Sequence, residues 1–306
     1  MEKNNLDKAK NNSCITRVYV FLFSLILSLN SNAQEALSID DLFSKQLEYS
    51  MISKGDNFPD FWIKNDSLDL LLFSLHENIP LTLFGSKTNF SDIKIKNSLS
   101  FLESKGWVHI IDGQYKPTVF IASAKDGEKI YEYATPISQD ITVAIKKVLP
   151  QIKKQFAKTH AAKSSNFERW SFLILSNVLL DNWQINNVER NFIKQENRPL
   201  RHGKNYYYSI LENTDKSREA FGIYGNQQMM TADKSTLSIY GNNRHENKQE
   251  NYSNIISKKD NAILEEMATL FLPELLIVLE NHRAYSEEVY HKLGYSSEIT
   301  FEEFYI

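Results

Sequence analysis

Tyr206-Tyr207-Tyr208-Ser209-Ile210-Leu211 opens a stretch of aromatic and β-branched residues within Pro199–Arg244. Further along this stretch the tetrapeptide Ile-Tyr-Gly-Asn occurs twice, at residues 223–226 and 239–242. Such runs ending in Gly-Asn are typical of strands closed by turns, because Gly and Asn tolerate the positive φ that turns need. We therefore predict a small antiparallel meander of three strands at about residues 199–244, with helices around it.

The start of this stretch also provides a candidate binding surface. On a strand, alternate tyrosines point to opposite faces, so one face either exposes tyrosine or buries it with its hydroxyl group paired. Exposed tyrosine beside basic side chains suits a protein, peptide or carbohydrate partner. The alternative is a meander packed on the apolar segment 167–183, with the tyrosines in the core. The candidate binding residues are Arg198, Arg201, His202, Tyr206 and Tyr208.

Residues 1–33 have the three features of a secretory signal peptide. Basic residues precede an apolar run of twelve residues, Val18 to Leu29, and Ser31-Asn32-Ala33 supplies the small residues of a cleavage site. The run is too short to span a bilayer, and its ending resembles that of exported proteins of the Bacteroidetes. We expect a mature chain that begins at Gln34, has no transmembrane segment and is periplasmic or extracellular.

Cysteine usage and charge limit the chemistry of this mature chain. The only cysteine, Cys14, lies in the signal peptide, so we expect neither a disulfide nor a thiolate metal site. The signal peptide also takes four of the 35 basic and two of the 38 acidic residues, which leaves a formal net charge of −5. This negative charge argues against nucleic acid as a partner.

The region after residue 65 combines helical periodicity with a hairpin. Leucines at helical spacing, residues 68–75, predict one helix, and residues 91–105 predict a second that Gly106 ends. Between them, Ile79–Phe84 has the composition of a short strand. Asp112-Gly113 then predicts the turn of a hairpin over residues 107–122.

This order of elements resembles a winged helix-turn-helix module of the MarR-like regulators, over residues 66–133. The resemblance implies a recognition helix whose Lys94, Lys96 and Lys105 contact phosphates. Two features differ from the family: Gly85–Asn89 is too polar and too short for its middle helix, and Asp112 occupies the wing tip, where DNA binders carry Arg or Lys. We therefore expect a winged-helix-like scaffold for protein interaction, with a DNA-binding regulator as an alternative.

The rest of the chain is predicted to be mainly helical. An apolar stripe over residues 137–156 indicates an amphipathic helix that Pro150 should kink or split. A small, polar segment at 158–166 is the best domain boundary, and residues 167–183 predict a buried central helix. We thus predict an α+β protein: a winged-helix-like lobe over residues 34–160, and a lobe of helices around the meander over residues 161–306.

The sequence has no recognised catalytic or metal-binding motif. It contains no nucleophile elbow, phosphate-binding loop or dinucleotide fingerprint, and its histidines lack the spacing of a zinc site. We expect no cofactor and no metal centre. The function predicted is non-enzymatic binding or a structural role outside the cytoplasm. A periplasmic hydrolase whose site has no recognised motif remains an alternative.

Overall fold

The computed structural model describes residues 46–213, 225–230, 234–240 and 252–306, where helices combine with small sheets in an α+β fold, as predicted. The signal-peptide prediction lies outside these residues. The strands are β1 Gln46–Ile52, β2 Val108–Ile111, β3 Gln114–Pro117, β4 Phe120–Ala122, β5 Leu200–Arg201, β6 Lys204–Asn205, β7 Tyr207–Asn213, β8 Gly225–Met230, β9 Lys234–Tyr240 and β10 Tyr252–Ser257. The α-helices are α1 Leu68–His76, α2 Leu81–Thr88, α3 Asp92–Ser104, α4 Ala124–Phe156, α5 Ala161–Ser164, α6 Phe167–Phe172, α7 Ile185–Val188, α8 Lys258–Lys292 and α9 Phe301–Tyr305.

Helices α1, α2 and α3 follow one another along the chain. Helix α3 begins at the predicted place, where the Ser91 hydroxyl accepts a hydrogen bond from the Lys94 amide. Helix α2 corrects the prediction of a strand at Ile79–Phe84. Pro80 accounts for the difference, because it has no N–H for a strand ladder and its fixed φ suits a helix start. Phe84 then packs in the core with none of its surface exposed.

The predicted hairpin is confirmed as β2 and β3, which pair antiparallel from Val108↔Pro117 to Ile111↔Gln114. Asp112 and Gly113 both have positive φ, as a tight two-residue turn requires. Three helices followed by a hairpin is the order expected of a winged helix, and the family resemblance itself stays a prediction.

The largest hydrophobic core lies between α4, α8 and the segment that follows α6. The predicted stripe of α4 faces this core, with Val148, Ile152 and Phe156 buried. Helix α4 is continuous through Pro136 and Pro150, so a split at Pro150 is wrong. Packing of the stripe against α8 outweighs the roughly 3 kcal/mol that an internal proline costs.

The predicted buried helix over residues 167–183 is only partly as expected. Helix α6 passes into a π-helical segment, Leu173–Val178, in which Leu173, Ile174 and Val178 are buried. Phe172 and Leu180, however, expose 52% and 42% of their surface. This segment therefore buries one face rather than most of its circumference.

The strand of tyrosines does not belong to the meander, which corrects the sequence prediction. The antiparallel meander consists of β8, β9 and β10. Strand β7 instead pairs antiparallel with β1 and parallel with β4. One sheet thus contains strands from both sides of the predicted boundary near residue 160, and the division into two lobes stays a prediction.

Candidate functional site

Arg201, a predicted binding residue, lies in the interior with 3% of its surface exposed. One guanidinium nitrogen, Nη1, donates to the Tyr206 carbonyl at 2.8 Å. The other, Nη2, donates to the Glu303 carboxylate at 2.5 Å and to the Thr118 carbonyl. Every one of these acceptors belongs to the chain itself. Arg201 therefore joins the β5–β6 hairpin to α9 and cannot lie on the exposed surface that the sequence suggested.

The tyrosines of β7 alternate as predicted, but both faces of the strand are covered. Tyr206 and Tyr208 both contact Trp107, and the Trp107 indole donates to the Tyr206 hydroxyl at 2.8 Å. Tyr207 lies on the other face, where its hydroxyl bonds to Gln195 at 3.2 Å. Tyr206 and Tyr207 expose 2% and 5% of their surface, and Tyr208 is half-buried. The tyrosines therefore belong to the core, which corrects the expected exposure.

Arg198 and His202 have different surroundings. The Arg198 guanidinium makes two hydrogen bonds to the Glu189 carboxylate, at 2.7 and 3.3 Å. His202 is exposed in the β5–β6 turn, where its Nε2 lies 3.8 Å from an Asp60 oxygen. Of the five predicted residues, His202 has the most accessible side chain. A binding role for the set as a whole stays a prediction.

Residues 56–62 form a segment over the β5–β6 hairpin, and the chain holds this segment at several points. The Lys105 ammonium bonds to Asp60 at 2.7 Å, and this bond lowers the pKa of Asp60. The Asn205 amide donates to the Asn57 side chain at 3.2 Å. Inside the segment, Phe61 makes edge contacts with the rings of Phe101 and Trp107, at 5.2 and 5.0 Å.

The same segment presents large apolar side chains to solvent. Trp62 exposes 64% of its surface and Phe58 exposes 48%, and Phe101 beside Phe61 exposes 37%. We call Phe58, Trp62 and Phe101 the aromatic patch. Sequence reasoning missed it, because Asn57-Phe58-Pro59-Asp60 has the composition of a turn. A usable signal was present: three of the five residues 58–62 are aromatic, within an otherwise polar stretch.

A second group of polar side chains lies around His76, at the end of α1. Its Nδ1 is 2.8 Å from Glu298, and its Nε2 is 3.1 Å from Asp126 in the first turn of α4. Burial alone would lower the pKa of His76, but the bonds and charges of both carboxylates outweigh it and raise this pKa to about 10. His76 is therefore a protonated donor at neutral pH, with both nitrogens engaged. In this state it cannot serve as a general base.

The lysines that the family resemblance places on phosphates are largely paired with carboxylates. Lys94 lies 3.0 Å from Asp66, and Lys105 is bonded to Asp60. Helix α3 also carries Ile93, which exposes 72% of its surface. Paired cations and an exposed apolar residue are a poor match for the phosphate backbone of DNA.

Neither the models of known protein families, nor the curated proteins, nor the solved structures gave a match to this chain. None of the described helices combines the length and the apolar composition that a bilayer span needs.

Proposed function

We propose that this protein is an exported, non-enzymatic binding protein, and that the aromatic patch is the surface that contacts its protein, peptide or carbohydrate partner. The observation that carries this proposal is the exposure of Trp62 and Phe58, at 64% and 48%. Leaving such a side chain in water forgoes part of the roughly 1.5–3 kcal/mol that its full burial would contribute. A partner that covers both rings would recover this free energy.

The anchoring of the segment supports binding in a second way. Ordering a flexible loop on binding costs free energy and lowers affinity, whereas a loop already held in place does not have this cost. Here Asp60 and Asn57 are bonded to residues of other elements, and Phe61 is held between two aromatic rings. The exposed rings at positions 58 and 62 thus lie on backbone that is fixed before a partner arrives.

Polar groups border the aromatic patch, as in protein interfaces with an apolar centre and a polar rim. Asp60, Lys105 and His202 lie beside it. Trp is also prominent among the side chains that contribute most to interface affinity. The charges of both signs on this rim favour a partner with matching polar groups over a purely apolar ligand.

A capture experiment on the envelope fraction tests the proposal. The variant Phe58→Ala/Trp62→Ala should retain less than a tenth of the partner that the wild-type chain captures. The matched control is Phe172→Ala, because Phe172 is also a phenylalanine with about half of its surface exposed, at 52%, but belongs to α6. Equal capture by the wild type and by the double variant, with equal melting temperatures, would refute the proposed surface.

A further inference from the structure

Three carboxylates surround the single imidazole of His76. Asp126 and Glu298 bond to its two nitrogens, and a Glu77 oxygen lies within 4.8 Å of ligand atoms of both His76 and Asp126. Acidic and basic groups do not balance here, because three carboxylates outnumber one imidazole and leave an excess of negative charge. The positive end of the α4 macrodipole near Asp126 offsets only a part of this charge.

Glu77 is the member of this group that the chain leaves unused. Among the residues that the structure describes, none makes a hydrogen bond or an ion pair to the Glu77 carboxylate. Its side chain is nevertheless half-buried at the end of α1, next to His76. A half-buried carboxylate beside two others is stabilised when a further cation binds there.

The bond between Glu298 and His76 has the form found around metal-ligating histidines. Such histidines donate one ring N–H to a carboxylate, which fixes the tautomer and directs the other nitrogen at the metal. Here the Nδ1–H donates to Glu298 at 2.8 Å, and Nε2 points toward Asp126 at 3.1 Å. Ligand atoms about 2.0–2.2 Å from a tetrahedral zinc ion lie roughly 3.3–3.6 Å from each other. The 3.1 Å between His76 Nε2 and the Asp126 oxygen is close to this separation.

We propose that His76, Glu77 and Asp126 bind one divalent metal ion, of which Zn²⁺ is the best match, through Nε2 and one oxygen of each carboxylate. Imidazole and carboxylate together suit zinc, and three protein ligands leave a fourth position for water. Nε2 binds the ion in its deprotonated form. Glu298 remains bonded to Nδ1 and acts as a positioning residue.

Sequence reasoning could not find this site, because His76 and Asp126 are 50 positions apart and no zinc spacing links them. The inference therefore revises the expectation that the chain has no metal centre. It does not depend on the aromatic patch, and either proposal can fail without the other.

Isothermal titration of the purified chain with ZnCl₂ tests the site. The wild type should bind one ion per chain. Glu77→Gln should weaken binding at least tenfold, and Glu298→Gln by about 10–100-fold. The matched control, Glu103→Gln, removes an exposed carboxylate from α3 and should leave the affinity unchanged.

Two results would overturn the proposal. One is a wild-type chain that binds no Zn²⁺. The other is binding that Glu77→Gln does not weaken. Glu77→Gln keeps the test decisive if Glu298→Gln fails to fold, because no described residue bonds to the Glu77 carboxylate. Circular dichroism of each variant checks that its helices are intact.

Discussion

Replacing Arg201 with alanine is expected to destabilise the fold strongly, although a surface role would make this substitution nearly neutral. Arg201 exposes 3% of its surface and Glu303 exposes 7%, and their ion pair is 2.5 Å long. The alanine leaves the Glu303 carboxylate buried without its cation. Removing one partner of a buried ion pair costs about 3–5 kcal/mol. That is a large fraction of the roughly 5–15 kcal/mol by which a folded domain is stable.

The loss of stability should also depend on pH. Burial raises the pKa of Glu303 from 4.5 to about 7, and Arg201 acts in the opposite direction. An acid with a higher pKa in the folded state binds protons more tightly there, so its contribution to stability falls as pH rises from about 4.5 to about 7. Without Arg201 the pKa of Glu303 rises further. The contribution of Glu303 to stability then continues to fall above pH 7. Arg201→Ala is therefore more destabilising at pH 8 than at pH 5.

Urea denaturation at these two pH values measures both effects. His202→Ala is the matched control, since His202 is the next residue and 53% of its side chain is exposed. This control should change the free energy of unfolding by no more than about 0.5 kcal/mol. An Arg201→Ala chain within about 0.5 kcal/mol of the wild type at both pH values would refute the buried ion pair.

Two further outcomes follow from the structure and from the sequence. Tyr207→Ala and Tyr208→Ala should each lower the free energy of unfolding, because each face of β7 is packed. The loss should be roughly 3–5 kcal/mol where the ring is fully buried. Thermal denaturation that detects a loss for only one of the two variants would contradict this arrangement. If residues 1–33 are a signal peptide, as we propose, mass analysis of the N-terminus of envelope material should find a chain that begins at Gln34. Recovery of chains with an intact Met1 would disprove the cleavage.

Local structure was predictable where a few neighbouring residues determine it. Asp112-Gly113 can adopt the positive φ of a tight turn, and the hairpin at this point is confirmed. The Ser91 cap and Gly106 define the ends of helix α3 in the same way. The apolar stripe of α4 also indicated the correct buried face, because helical periodicity repeats within the segment itself.

Strand pairing was not predictable, because it depends on residues far away in the sequence. Composition suggested that the strand of tyrosines pairs with the next strands along the chain. Its actual neighbours are β1 and β4, which lie more than 80 positions earlier. Nothing in Tyr207–Asn213 by itself distinguishes these partners from β8.

Side-chain contacts in the candidate site were not predictable for the same reason, because they also depend on residues far away in the sequence. An arginine in a polar segment is usually exposed, but Arg201 is paired with a glutamate 102 positions later. The exposed rings in this region are those of Phe58 and Trp62, on the segment that is bonded to the hairpin. Through His202, the sequence prediction lies next to the surface proposed here, but the aromatic residues it selected are those of the core.

Fluorescence quenching of Trp62 by iodide tests the central claim most directly. Of the four tryptophans, Trp62 is the most exposed, at 64%, whereas Trp107 and Trp183 are buried. Subtracting the signal of a Trp62→Phe variant isolates its contribution. Saturation with the captured partner should reduce quenching of Trp62 by at least half, because the aromatic patch is then covered. Unchanged quenching in the saturated complex would contradict binding through this surface.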